Sequence, residues 1–210
     1  MRLIIGDSPV KTLEKPAHAH TVHGAATIEP TLSHTLRGLI ARTRPRNIVE
    51  TGTHNGLVVT LTLCEALVDN AITLDHVYSI ESNPAHYAQA CERLAERGFR
   101  PHLLCGSPLP GQNGAEQSAG PHVDDLLGYV LRAFNGTPDL VLLDASTPTS
   151  FAELTYALSL IRARCYIAIK GPSHGSQCRC LALLQDDSRF QVLELSTHQD
   201  NFCLAQFDPA

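Results

Sequence analysis

The stretch that decides the fold lies in the first third of the chain and reads Asn47-Ile48-Val49-Glu50-Thr51-Gly52-Thr53-His54-Asn55-Gly56. Residues 47–50 are typical of a short strand, and the apolar pattern over residues 57–68 is typical of a buried helix. Gly52 lets the backbone turn sharply between the two, and Gly56 lets a helix or a ligand approach closely. The stretch therefore predicts a strand–turn–helix unit, whose turn is either a ligand site or an ordinary connection.

The same alternation of strand and helix continues along the rest of the chain. Apolar strands that alternate with helices indicate a Rossmann-like, doubly wound α/β fold, with a mostly parallel sheet covered on both faces. In such sheets ligands bind beyond the carboxyl ends of the strands, which selects residues 50–56, 81–83 and 144–149. The further strands are predicted at 76–81, 102–105, 140–143, 165–169, 190–195 and 202–207, and the helices at 31–45, 57–68, 84–98, 123–134, 150–162 and 177–184.

Length and composition limit the class of protein. A chain of 210 residues suits one elaborated domain, which we place at residues 31–210 after an N-terminal arm over residues 1–30. Within that domain, residues 106–122 are rich in Pro and Gly and exceed a usual connection, so we interpret them as a loop insertion that is either a functional lid or a mobile insertion. Hydrophobic residues make up 43% and charged residues 18%, as expected of a soluble globular protein rather than a disordered one.

Charge and cysteine content restrict the partners and the compartment. The formal net charge of -5 argues against a broad phosphate-binding surface, and therefore against a nucleic-acid partner. No apolar run approaches the ~20 residues of a spanning helix, so we expect no membrane partner. The seven Cys are odd in number and lie mostly in apolar runs, and the N-terminus has no signal-peptide apolar region, which predicts a cytoplasmic protein.

Two acidic residues at strand ends narrow the class of ligand. Glu50 ends the first strand, where dinucleotide-binding proteins carry a small residue, and the Gly52–Gly56 spacing differs from their glycine pattern. A nicotinamide dehydrogenase is therefore disfavoured, because an anion here would repel pyrophosphate but suit a ligand that bears an amine. Glu81 ends the second strand, where a carboxylate is placed to accept both hydroxyls of a ribose, although a capping or solvated Glu would look the same.

Together these segments resemble the class I S-adenosylmethionine-dependent methyltransferases, in particular the small O-methyltransferases of the catechol and caffeoyl-CoA type. The segment 50–56 is similar to their first motif, and residues 80–84 (Ile-Glu-Ser-Asn-Pro) are similar to their ribose-binding segment. Residues 104–107 resemble the adenine-binding turn, and residues 139–145 the strand-four segment that faces methyl transfer. The resemblance covers about residues 28–207 and implies a seven-stranded sheet with an antiparallel last strand.

The resemblance also implies a cofactor and the residues that hold it. S-adenosylmethionine would be bound through its methionine part by the turn that follows the first strand, with Glu50 near the amino group. Glu81, with Ser82 beside it, would hold the ribose, and Gly106 and Ser107 would border the adenine. Asp144 and Ala145 would lie beside the sulfonium. The residues of the first turn are Glu50, Thr51, Gly52, Thr53, His54, Asn55 and Gly56.

The sequence departs from this family at the metal site. The metal-dependent members carry an Asp-Asn pair after strand five, whereas here Lys170 ends that strand and no carboxylate follows it. Asp144 alone is a poor site for a divalent ion, which needs several hard oxygen ligands, so we expect no metal in the reaction. The catalytic candidates are Asp144, Lys170 and His174. A neutral His174 could act as a general base, and Lys170 could orient an anionic substrate or pair with Asp144.

The leading hypothesis is transfer of a methyl group to an oxygen or nitrogen of a small-molecule acceptor. The missing metal ligands motivate an alternative, a non-catalytic protein that binds S-adenosylmethionine as a sensor or scaffold. A nucleic-acid methyltransferase is disfavoured by the acidic balance. Family analogy alone implies a homodimer. His18, His20 and His23 are close in sequence but lack a carboxylate or Cys ligand nearby, and we interpret them as part of a plain arm.

Overall fold

The computed structural model describes residues 31–111, 123–144, 149–171, 178–197 and 201–209. Several predictions lie outside these residues. They are the N-terminal arm with His18, His20 and His23, most of the proposed lid (residues 112–122), Ala145 and His174.

One seven-stranded sheet organises the chain, and its strand order is β3-β2-β1-β4-β5-β7-β6. Strands β1 to β5 pair in parallel, and β7 pairs antiparallel with both β5 and β6. The predicted mostly parallel sheet with an antiparallel last strand is therefore confirmed. The strands are β1 Ile48–Thr51, β2 Val77–Glu81, β3 His102–Cys105, β4 Leu140–Leu143, β5 Cys165–Lys170, β6 Phe190–Ser196 and β7 Phe202–Phe207.

Six helices alternate with these strands in the described residues, and several begin and end at capping residues seen in the sequence. Thr31 caps α1, with its side chain accepting a hydrogen bond from the backbone N–H of His34 at 3.2 Å. Pro84 opens α3 behind the Asn83 cap. The helices are α1 Leu32–Thr43, α2 Val59–Asp69, α3 Pro84–Glu96, α4 Leu126–Ala133, α5 Ser150–Leu160 and α6 Cys178–Asp186.

Two predicted helix starts are wrong by a few residues. Helix α4 begins at Leu126 instead of residue 123, because Val123 is held beside the end of β3: its carbonyl accepts the N–H of Ser107 at 2.9 Å. Asp125 then takes a left-handed conformation (φ 63°) before the helix starts. Helix α2 begins at Val59 instead of residue 57, since the turn continues past Gly56.

The core lies on both faces of the sheet. One cluster joins the sheet to α4, α5 and α6, and the other joins it to α1 and α2. Adjacent residues of β1 serve opposite faces, with Val49 in the first cluster and Ile48 in the second. The central strands β1 and β4 are buried along their whole length. Their carboxyl ends lie side by side in the middle of one edge of the sheet. None of the helices in the described ranges is long and apolar enough to cross a membrane.

Candidate functional site

A cavity of about 390 Å³ lies at the carboxyl ends of the central strands. This is the edge at which chain order reverses between β1 and β4, where doubly wound sheets bind ligands. Its volume is within the range of small-molecule sites. The described residues that line it are Thr53, His54, Asn55, Val58, Val59, His86, Gln89, Asp144 and Lys170.

The turn after β1 is shaped by its glycines and by contacts with β2. Gly52 (φ 83°) donates its N–H to the carbonyl of Ile80 at 2.9 Å, and Gly56 (φ 74°) donates to the carbonyl of Thr53 at 2.9 Å. A Cβ at Gly56 would lie 3.1 Å from the Cβ of Ala90 on α3, so this position needs Gly for space as well as for its backbone angle. The turn therefore delivers Thr53, His54 and Asn55 to the cavity.

Glu81 ties the turn after β1 to the turn after β2. Its Oε2 accepts the backbone N–H of His54 at 2.6 Å, and its Oε1 accepts the backbone N–H of Asn83 at 2.7 Å. The residue is only 5% exposed, so these hydrogen bonds offset the cost of burying its carboxylate. Each oxygen retains a further acceptor lone pair, which leaves the carboxylate able to receive a hydroxyl or a metal ion.

Glu50 lies beneath the turn and does not line the cavity. It is fully buried, and its Oε2 accepts hydrogen bonds from Thr60 Oγ1 at 2.7 Å and Ser79 Oγ at 2.5 Å. Its Oε1 has no hydrogen-bond partner among the described residues. The pKa of Glu50 is raised to about 7: burial is the largest cause, the hydrogen bonds from Ser79 and Thr60 lower the pKa, and the charge of Asp144 raises it.

Asp144 and Lys170 form an ion pair across the ends of β4 and β5. The Nζ of Lys170 lies 3.2 Å from Oδ2 of Asp144, which confirms the predicted alternative that Lys170 pairs with this acid. Burial raises the pKa of Asp144, while Lys170 and then His54 act in the opposite direction. His54 also contacts this residue, with Nε2 3.1 Å from the Asp144 carbonyl oxygen. The cavity thus has a buried anion, a cation and an imidazole at one end.

Some predicted site residues lie away from the cavity. Ser82 is exposed at the end of β2 and does not line it. Gly106 and Ser107 follow β3, where the N–H of Gly106 donates to the carbonyl of Glu81 at 3.0 Å; they too are outside the lining. Thr51 is buried, and its hydroxyl donates to Glu153 at 2.6 Å.

Sequence reasoning missed the contribution of α3 and a buried acid on α5. His86 and Gln89 line the cavity from the first turns of α3, and their place five and eight residues after Glu81 was a usable signal. Glu153 is 1% exposed and braces the end of β1 through Thr51; burial raises its pKa. Nothing in the local sequence distinguishes it from a surface Glu on a helix.

The fold is similar to that of solved methyltransferase structures. The O-methyltransferase TomG from Streptomyces achromogenes, solved in complex with S-adenosylmethionine, is 19% identical, with 85% of this chain and 79% of that chain covered and a TM-score of 0.58. The O-methyltransferase from Bacillus cereus, solved with S-adenosylhomocysteine, is 16% identical over 88% and 84% of the two chains, with a TM-score of 0.58.

An rRNA methylase from Streptococcus thermophilus has the same fold, at 14% identity over 87% of this chain and 98% of that chain, with a TM-score of 0.54. The sequence itself matches no family model and no curated protein. At these identities the likeness concerns the fold. It confirms, for the fold, the resemblance on which the sequence analysis relied.

Proposed function

We propose that this protein transfers a methyl group from S-adenosylmethionine to an oxygen or nitrogen of a small-molecule acceptor, without a metal ion in the reaction. One observation carries the proposal: the turn after β1 and the Asp144–Lys170 pair line one cavity at the switch point of the sheet, and Glu81 is held behind that turn by the backbone N–H of His54. Solved structures of this fold that hold S-adenosylmethionine or S-adenosylhomocysteine support it.

The residues present suit such a cofactor. Glu81 offers buried carboxylate lone pairs to ribose hydroxyls, and the Gly-bearing turn offers close backbone approach to the methionine part. Glu50, beneath this turn, supplies a buried carboxyl with one oxygen unpartnered among the described residues, which favours a nearby ammonium group. The cofactor, when bound, supplies an electrophilic methyl group on a sulfonium.

The chain's own contribution to transfer would be positioning and charge. Asp144 and Lys170 close one end of the cavity, where Lys170 can orient an anionic or hydroxyl-bearing acceptor. The ammonium of Lys170 also explains why we propose a reaction without a metal: its charge lies 3.2 Å from Asp144, where it would repel a divalent cation. His174 remains a candidate general base.

The partners and compartment belong to the same proposal. The acidic net charge of -5 supports a small-molecule acceptor over a nucleic acid. Free thiols, such as the buried Cys64, support a reducing, cytoplasmic setting. We propose a homodimer by family analogy, which sedimentation analysis would test.

Calorimetry of the purified protein with S-adenosylmethionine tests the proposal. We expect wild type to bind and Glu81→Gln to bind at least 10-fold more weakly, because a hydrogen bond to a charged group contributes about 1.5–3 kcal/mol. Glu92→Gln, the same change at an exposed position of α3, is the matched control and should bind like wild type. Absence of binding by folded wild-type protein would refute the proposal.

A methyl-transfer assay then separates an enzyme from a sensor. Labelled S-adenosylmethionine would be incubated with a panel of phenols, catechols and amines. Transfer to at least one acceptor supports the enzyme. Binding without transfer across the panel favours the non-catalytic alternative.

A further inference from the structure

Two imidazoles and a carboxylate converge at the edge of the cavity. A ring nitrogen of His54, a ring nitrogen of His86 and a carboxylate oxygen of Glu81 all lie within 4.8 Å of one another. Two histidines and one carboxylate are a ligand set that Zn²⁺ takes in proteins. Zinc ligands lie about 2.0–2.2 Å from the ion at the corners of a tetrahedron, so two of them are roughly 3.3–3.6 Å apart, and side-chain rotation would bring the three groups to that spacing.

The surroundings of His54 prepare its ring as a ligand. Nε2 of His54 lies 3.1 Å from the carbonyl oxygen of Asp144. Because a carbonyl oxygen can only accept, Nε2 must carry the hydrogen, which leaves Nδ1 of the neutral ring with a free lone pair. Histidine ligands in metal sites almost always donate their other N–H to a carbonyl or carboxylate in this way.

Glu81 is likewise held in place before any ion arrives. The backbone N–H groups of His54 and Asn83 fix its two oxygens at 2.6 and 2.7 Å. His86 completes the group from the first turn of α3, where Asn83 Oδ1 accepts its backbone N–H at 3.3 Å. The rings of His54 and His86 are 6.2 Å apart between centroids and tilted by 52°, so they face a shared space without stacking. Hydrogen bonds thus orient the side chains of His54 and Glu81, and His86 lies on the solvent side of the group.

We propose that His54, Glu81 and His86 bind a divalent transition-metal ion of the Zn²⁺ type, with water as the fourth ligand. This site is distinct from the strand-four position, where Lys170 pairs with Asp144. It has a regulatory consequence that rests on the proposed function: the two ribose hydroxyls of S-adenosylmethionine would take the remaining lone pair on each Glu81 oxygen, which leaves none for the metal ion. Zn²⁺ and the cofactor therefore exclude each other, and the ion is an inhibitor that acts at the cofactor site.

A metal titration tests the site independently of the cofactor. The protein, stripped with a chelator, would carry His18→Ala, His20→Ala and His23→Ala so that no imidazole of the N-terminal arm contributes. Co²⁺, followed by its visible absorption, and Zn²⁺, followed by calorimetry, should each bind at one ion per chain. Adding His86→Ala should weaken binding at least 10-fold, since it removes a ligand.

His102→Ala is the matched control for that titration. His102 is also a histidine whose Nε2 contacts a backbone carbonyl, that of Asp75 at 2.9 Å, but it lies on β3 outside the cluster. It should leave metal affinity unchanged. Equal metal affinity in the parent and in His86→Ala would overturn the proposal, as would an equal loss in His102→Ala.

Competition tests the regulatory consequence. In the parent protein, the apparent Kd for S-adenosylmethionine should rise in proportion to Zn²⁺ concentration above the metal Kd. In His86→Ala the ratio of that Kd with and without Zn²⁺ should fall close to one, whatever the variant's own affinity. An unchanged cofactor affinity at saturating Zn²⁺ would overturn the exclusion. A protein that binds Zn²⁺ but never S-adenosylmethionine would refute the proposed function and leave the metal site standing.

Discussion

Glu50 is a buried acidic residue whose effect on the stability of the folded protein depends on pH. Its carboxyl is fully buried, and its pKa of about 7 lies well above its ordinary value of 4.5. Thr60 and Ser79 donate to one oxygen only, so the hydrogen bonds do not offset the loss of hydration. A pKa of about 7 means that the Glu50 carboxyl is partly protonated near neutral pH.

We predict that Glu50 lowers stability as pH rises. A folded-state pKa above the unfolded one means that its contribution is fully present below about pH 4.5 and is lost as pH rises through 7. Without cofactor, the free energy of unfolding of Glu50→Gln relative to wild type should increase by on the order of 2 kcal/mol between pH 5 and pH 8. Urea denaturation at both pH values measures this, with Glu92→Gln as the exposed control; parallel pH profiles for Glu50→Gln and wild type would contradict it.

The placement of the strand-end acids was predictable, and their local environments were not. Glu50, Glu81 and Asp144 each follow an apolar run, and parallel strands end at one edge of the sheet, so their convergence follows from the pattern. Whether each carboxylate faces the cavity or the interior depends on neighbours from other strands. Ser79, for example, pairs in register with Glu50 across β1 and β2. That pairing is a property of the folded sheet, and so is the approach of His86 to His54.

At the scale of elements, the turn after β1 packs closely against α3, and a comparison of two glycines shows how little space that contact leaves. Gly56 has φ 74°, and a Cβ there would lie 3.1 Å from Ala90 Cβ and 3.2 Å from Ala90 Cα. Gly98, after the end of α3, has φ 81° but no atom within 4 Å of the position of a Cβ. The two glycines share a left-handed backbone and differ in the space around them.

We predict that Gly56→Ala destabilises the protein more than Gly98→Ala does. The left-handed conformation should cost each variant about 1–2 kcal/mol. Gly56→Ala should lose a further 1–3 kcal/mol, roughly, because the methyl group pushes α3 away from the turn. Urea denaturation of both variants gives the difference. Equal losses would show that α3 yields to the methyl group without strain.

Element boundaries were predictable where the stop signal is local. Pro84 and Gly98 bound α3 as their backbone preferences require. The start of α4 was not predictable from the local sequence. Val123 is held by pairing with Gly106 across the loop between them, and no short window of sequence contains both residues. The overall strand order is likewise a long-range property and was not predicted; the family resemblance implied only seven strands with an antiparallel last strand.

At the scale of the whole molecule, β7 joins the two halves of the core. It lies between β5 and β6, and its ends serve opposite faces: Phe207 belongs to the cluster with α4, α5 and α6, and Phe202 to the cluster with α1 and α2. Both side chains are fully buried. The two positions are five steps apart along the strand, which is about 16 Å. Phe190 on β6 instead packs directly on Phe207, with ring centroids 4.9 Å apart.

We predict that Phe202→Leu and Phe207→Leu are each destabilising by about 1–2 kcal/mol and additive to within about 0.5 kcal/mol, since they share no contacts. Phe190→Leu with Phe207→Leu is the matched pair in contact. It should show a coupling of about 0.5–1.5 kcal/mol, because each single change already breaks the aromatic contact.

All variants should unfold in urea in one transition with an unchanged slope, since a strand shared by both faces makes the two clusters melt together. Two resolved transitions in Phe202→Leu would show that the face with α1 and α2 unfolds by itself, and that β7 does not couple the halves.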